Sequence, residues 1–273
     1  MTASAAALDR ASRRRTRIVR ATRSYGLSIG IILVFFVLWE FVLPGDVSRV
    51  LPRPSVIVSR IWSSRSTLLR AVQYTALEAV LGFLLGNGVA VLLAVSFIYS
   101  PTAADTVYPM AVVLRSIPLV ALTPFIIIFF GQGIAGKVVI AALICFFPTL
   151  VNMVQGLTSV DVQALELMHT LNASERNLFW KMRVPYSLPY LFTSFKITSS
   201  AAVLGAIIGE WVGASKGLGA VIVSAMFNAQ TELLWAAMIV ATVVSILAYG
   251  ITALAERILI PWHESVKQAQ VGE

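Results

Sequence analysis

Nine residues, "GQGIAGKVV" from Gly131 to Val139, come within one position of a phosphate-binding loop. That loop, Gly-x-x-x-x-Gly-Lys-[Ser/Thr], cradles phosphates on backbone N–H groups, reaches the outer phosphates with Lys and holds Mg²⁺ through the final hydroxyl. Gly131, Gly136 and Lys137 fit, but Val138 stands where the hydroxyl is needed. A working loop also follows a β-strand and opens a helix where the nucleotide sits. Here the glycines separate two long apolar runs, so the stretch is read as a tight interhelical turn with Lys137 anchoring the following run at a membrane interface. The sequence shows no nucleophile–base constellation, no metal cluster and no stacking platform for nucleic acid, so no catalytic, cofactor or metal residue is expected. Three charged side chains do stand out, because they lie inside apolar runs: Glu78, Arg115 and Glu210. Such charges tend to face a bundle interior or a water-filled cavity.

The elements that must position these groups follow from composition. The 273 residues are 58% hydrophobic and 12% charged, against about 25% charged in soluble domains. Six stretches approach the roughly 20 helical residues that cross a hydrocarbon core: residues 26–43, 76–100, 108–131, 138–156, 197–214 and 233–255. Lipid offers no partner to a free backbone group, so only helices or a closed barrel can span it. Barrel strands alternate polar and apolar residues, and "VVIAALICFFPTLV" does not. The expectation is an all-α, polytopic membrane protein with six spans. Pro118, Pro124 and Pro148 should break or kink spans three and four. Gly82, Gly86, Gly205 and Gly209 should let helices approach closely, while Asn87, Asn152, Gln155, Ser199 and Ser200 suit hydrogen bonds between helices.

Charge placement sets the orientation. The net charge of +8 does not point to nucleic acid, because seven arginines fall between Arg10 and Arg23, directly before the first run. The positive-inside rule makes that segment cytoplasmic, and six spans return the C-terminus to the same side. The domains are then a basic cytoplasmic tail over residues 1–25, a six-helix transmembrane domain over 26–260 and a cytoplasmic tail over 261–273. One loop disagrees: Arg49, Arg53, Arg60, Arg65 and Arg70 fall on the outer side in this scheme. "SRRRTRI" has the arginines of an export signal but no cleavage pattern after the apolar run, and is read as retained. The single Cys145 lies inside a span and is a small packing residue.

The cytoplasmic segment between spans four and five reads "SVDVQALELMHTLNASERNLFWKMRVPYSLPYLF". Ser159 or Asp161 can cap a short helix through Leu171, and Asn172 tolerates the left-handed conformation that ends helices. Ser174 can cap a second helical region through Arg183, with Pro185 and Pro189 stopping it before span five. A bare amphipathic connector on the membrane would look similar. The chain nevertheless resembles the permease subunits of ATP-binding cassette importers, in the subgroup handling aliphatic sulfonates, taurine, nitrate and pyrimidine precursors. Their signature is Glu-Ala-Ala, three residues and Gly, followed by an apolar-x-Leu-Pro. Glu166 matches the Glu, Asn172 stands at the Gly, Leu167 and Met168 replace the Ala pair, and Val184, Leu188 and Pro189 fall in the last part. "LPRPSVIVSRIW", "LRSIPLVALTPFIIIFFGQGIAGKV", "FFPTLVNMVQGL" and "GEWVGASKGLG" extend the likeness in order over nearly the whole chain.

The resemblance implies the MetI-like permease fold and a place in a bacterial inner membrane with both termini cytoplasmic. The partners it implies are a second copy of the permease, two ATPase subunits that bind ATP and Mg, an external solute-binding protein and the bilayer. It also implies that the short helix docks into a groove on the ATPase. The residues that carry this coupling would be Asp161, Leu165, Glu166, Leu167, Met168, His169, Leu171, Asn172, Ala173 and Arg176. Arg115, Glu210, Glu78 and Asn152 are then candidates for the translocation path, although Glu78 could reach the interface, Arg115 could snorkel and Glu210 could sit at the interface beside Trp211. The competing readings are an ion-coupled secondary carrier using Glu210 or Glu78, and an intramembrane enzyme, for which no paired catalytic groups are visible.

Overall fold

The computed structural model describes residues 30–41 and 50–262. The arginines between Arg10 and Arg23, Arg49 and the residues after 262 lie outside that range. Among the described residues every regular element is helical. In chain order they are α1 (Gly30–Phe41), α2 (Pro54–Ser63), α3 (Arg65–Tyr99), α4 (Pro101–Leu114), α5 (Leu119–Phe130), α6 (Ile134–Thr158), α7 (Val162–Thr170), α8 (Glu175–Glu210), α9 (Leu218–Phe227) and α10 (Thr231–Leu259). α3, α6, α8 and α10 are each long and apolar enough to cross a bilayer, and α4 with α5 make a fifth candidate.

The chain divides into two units at Ser63/Ser64. In the first, α1 is tied to the start of α2 by polar side chains. Glu40 accepts hydrogen bonds from the Ser55 backbone N–H at 3.1 Å and from its hydroxyl at 2.6 Å, and the Trp39 indole donates to the Pro52 carbonyl at 3.1 Å.

In the second unit α6 is the central helix, packed between α3 and α8. Small residues make this possible. A Cβ at Gly86 would overlap the Ala142 carbonyl and one at Gly82 the Ala141 side chain, while one at Gly205 would lie 2.7 Å from the Ala141 Cα. The three backbones therefore run closer than any larger side chain permits. Midway along the bundle Asn87 Oδ1 accepts from the hydroxyls of Thr149 and Thr198, joining α3, α6 and α8 through one buried amide. Towards the α7 end the core is filled by Ala90, Phe97, Leu150, Met153, Leu157 and Phe179.

Two sequence expectations need correction here. The third span is not one helix: α4 and α5 meet at 102°. Pro118 is the cause, since it starts α5 in an extended conformation and disfavours helix at the residue before it. Pro124 and Pro148 stay inside their helices. Pro185 and Pro189 do not stop a helix before span five either, because α8 runs without interruption from Glu175 to Glu210. A π-turn at Phe179–Arg183 immediately precedes Val184 and Pro185. The wider turn takes up the residue that cannot join the regular ladder.

Candidate functional site

α7 sits between the end of α6 and the start of α8, and its boundaries are written in its sequence. Asp161 caps the N-terminus, its carboxylate accepting from the Gln163 N–H at 3.1 Å. At the other end Asn172 has φ +52°, the Asn172 N–H donates to the His169 carbonyl at 2.9 Å and the Ala173 N–H to the Met168 carbonyl at 3.0 Å. This pair of bonds is the Schellman stop, which explains how Asn serves where Gly is usual. Ser174 then caps α8, accepting from the Asn177 N–H at 3.4 Å.

The helix shows two apolar stripes. Leu165 and Met168, three residues apart, are half-buried, whereas Leu167 and Leu171, one turn apart, are 60% and 68% exposed. Glu166, His169, Asn172 and Arg176 are also exposed, and Ala173 is half-buried. An isolated amphipathic helix would hide its apolar residues on one side. This one leaves a second face of leucine uncovered beside polar groups.

Both roots of α7 are fixed. Val160 before it and Leu178 and Phe179 after it are buried, and the Phe179 ring lies 5.7 Å from that of Tyr99 at the end of α3. Arg183 donates to the Leu157 carbonyl at 2.9 Å, tying α8 back to α6. α7 is thus linked to α3, α6 and α8 through packed side chains and a hydrogen bond at its roots.

At the opposite end of the bundle lies a buried polar cluster. Lys137 Nζ on α6 donates to Glu78 Oε1 on α3 at 3.0 Å, with side-chain exposures of 8% and 4%. Glu210, at the end of α8, accepts from the Thr75 hydroxyl at 2.7 Å and from the Gly219 N–H, while Thr75 Oγ1 accepts from the Leu218 N–H at 2.8 Å. The first turn of α9 is capped by side chains from α3 and α8.

Residues 86–262 match the family described as binding-protein-dependent transport system inner membrane component. The chain belongs to this family. It is a permease subunit of an ATP-binding cassette importer for small solutes. Over 235 residues the permease is 33% identical to the formylaminopyrimidine transport permease protein ThiX of Halalkalibacterium halodurans, covering 85% of this chain and 94% of that one. It is 29% identical to the putative aliphatic sulfonates transport permease protein SsuC of Bacillus subtilis, covering 89% and 90%. Its fold is similar to a chain of the MetNI methionine ABC transporter in inward-facing conformations, with a TM-score of 0.54 at 19% identity over 72% of this chain and 97% of that one.

The permease does not use its candidate residues alike. Glu78 and Glu210 are brought together, 3% and 1% exposed. Arg115 is exposed, at the break between α4 and α5. Asn152 is half-buried on α6, where its amide donates to the Pro148 carbonyl of its own helix at 2.8 Å. Lys137 is not an interfacial anchor, as its place after a turn suggests; it is 6% exposed, because the approach of Gly209 on α8 encloses it and Glu78 supplies its counter-charge. Sequence reasoning missed this pair and missed Thr75. An acid and a base each near the same end of its apolar run was the available signal for Glu78 and Lys137. Nothing local marks Thr75.

Proposed function

We propose that two copies of this permease form the translocation path, that α7 lies on the cytoplasmic side, and that two separate ATPase subunits bind ATP and Mg and hydrolyse the nucleotide there. Both termini are then cytoplasmic, and an external binding protein delivers the solute to the other face. The observation that carries this reading is the uncovered Leu167–Leu171 face on a helix whose two roots are locked into the bundle. Leu167 and Leu171 fill the groove of the ATPase, Glu166, His169, Asn172 and Arg176 contact its rim, and Leu165, Met168, Ala173 and Asp161 hold the helix in shape and against the permease. Closure of the ATPase pair around nucleotide moves α7, and the rigid link passes the movement to α3, α6 and α8, alternating access from one side to the other.

The cargo class follows the relatives, whose names specify a formylaminopyrimidine and aliphatic sulfonates: a small organic solute, heteroaromatic or anionic. Of the four translocation-path candidates, Arg115 and Asn152 remain as its proposed contacts, since Glu78 and Glu210 are engaged inside the bundle. The test is Leu167→Asp, which buries a carboxylate in an apolar contact. ATPase copurification should be lost while the permease stays monodisperse; wild-type assembly and transport would overturn the docking role.

A further inference from the structure

Glu78, Lys137 and Glu210 are all buried at the same end of the bundle, 3%, 6% and 1% exposed. The two carboxyls are neighbours: Thr75, which donates to Glu210, stands one turn before Glu78 on α3, and Lys137, which donates to Glu78, packs against Gly209 beside Glu210. Glu78 gives one oxygen to Lys137, and its other oxygen, also buried, has no hydrogen-bond partner. Among the described residues, the nearby cations Arg70 and Lys216 instead line an open cleft beside Gly217, with the Lys216 ammonium 4.9 Å from the centre of the Tyr74 ring. The neighbouring side chain near Gly213 is the neutral amide of Gln132.

Two acids and one base, all ionised, would leave a net negative charge, two like charges as neighbours and an unsatisfied carboxylate oxygen in low dielectric. A single proton between the carboxyls removes all three problems at once. It makes the cluster neutral, turns repulsion into a charge-assisted O–H···O⁻ bond and supplies the partner that Glu78 Oε2 lacks. We propose that Glu78 and Glu210 share one proton and, with Lys137 and Thr75, form a neutral latch that positions α9 against the bundle. The proton stays in place and is not carried across the membrane.

Gly217 belongs to the latch. Its φ is +105°, and a Cβ there would fall on the Glu210 carboxyl. α9 has ten residues, pinned at its start by Thr75 and Glu210, while Met226 and Phe227 at its far end are 56% and 80% exposed. Thr75 and Glu210 are thus positioning residues that set where this short helix emerges from the bundle.

Infrared difference spectra of the full-length protein in lipid nanodiscs at neutral pH test the proton. A protonated-carboxyl C=O band, shifted in D₂O, should be present in the wild type and lost in Glu78→Gln and in Glu210→Gln alike, since either change leaves a single carboxylate in the cluster to balance the charge of Lys137. No such band in the wild type, or a band surviving in either variant, would overturn the shared proton. Alkylation of Ser224→Cys on α9 tests the positioning, with the buried Cys145 silent. It should proceed several-fold faster in a Gly217→Ala background, which keeps all three ionisable groups. Glu210→Gln serves as the second background should Gly217→Ala not fold. An unchanged rate in the folded background would refute the latch.

Discussion

Lys137→Met removes the cation of the buried cluster while keeping most of its volume. In the wild type its ammonium lies 3.0 Å from Glu78, with both side chains under a tenth exposed. Removing one partner of a buried pair strands the other charge, at a cost of about 3–5 kcal/mol. Glu78→Gln is different if the carboxyls share a proton, because the new amide replaces an acid that was already half neutral and Glu210 stays in the cluster as the one anion that balances Lys137. The loss should then be near that of one hydrogen bond, about 1 kcal/mol. The assay is unfolding of the purified permease in mixed micelles by denaturing detergent, followed by helix content. Lys137→Met should shift the transition several times further than Glu78→Gln. Equal shifts would show two fully ionised partners and refute the reasoning. The same Lys137→Met variant addresses the nucleotide-loop pattern of Gly131–Lys137: ATP hydrolysis per folded, assembled complex should not change.

The remaining expectations concern α7 and topology. Asn172→Gly should be neutral, since glycine adopts the φ of +52° freely, whereas Asn172→Val should cost about 1–2 kcal/mol in that conformation and weaken ATPase binding in a pull-down without lowering the stability of the bundle; equal binding by both would contradict the Schellman role. Cysteines introduced at Ser63 and Glu166 should react with impermeant reagent from opposite sides of the membrane, Ser63 from outside and Glu166 from the cytoplasm. Labelling of both from one side would overturn the orientation.

α7 was legible because its punctuation is local: Asp161, Asn172 and Ser174 each act within four residues, and each does in the structure what its type suggests. The α4–α5 break was legible only as a proline; that it amounts to 102° depends on what the two halves pack against. Pro185 and Pro189 misled for the opposite reason, since a π-turn with no simple sequence mark absorbs the first and the second stays inside the helix. Lys137 and Glu78 stand 59 residues apart, and their meeting depends on the glycine and alanine faces that bring α3, α6 and α8 together. Those glycines were visible in the sequence. Which charges they would enclose was not, because helix periodicity gives a face and no partner.

Uptake by reconstituted proteoliposomes tests the central claim most directly. The permease is assembled with the ATPase that copurifies with it, its binding protein and a radiolabelled small solute held by that protein. Accumulation should require ATP, the ATPase and the binding protein together, and should be lost with Leu167→Asp. Uptake by the permease alone, driven by a proton or sodium gradient, would contradict the account and make the intramembrane carboxylates those of a secondary carrier.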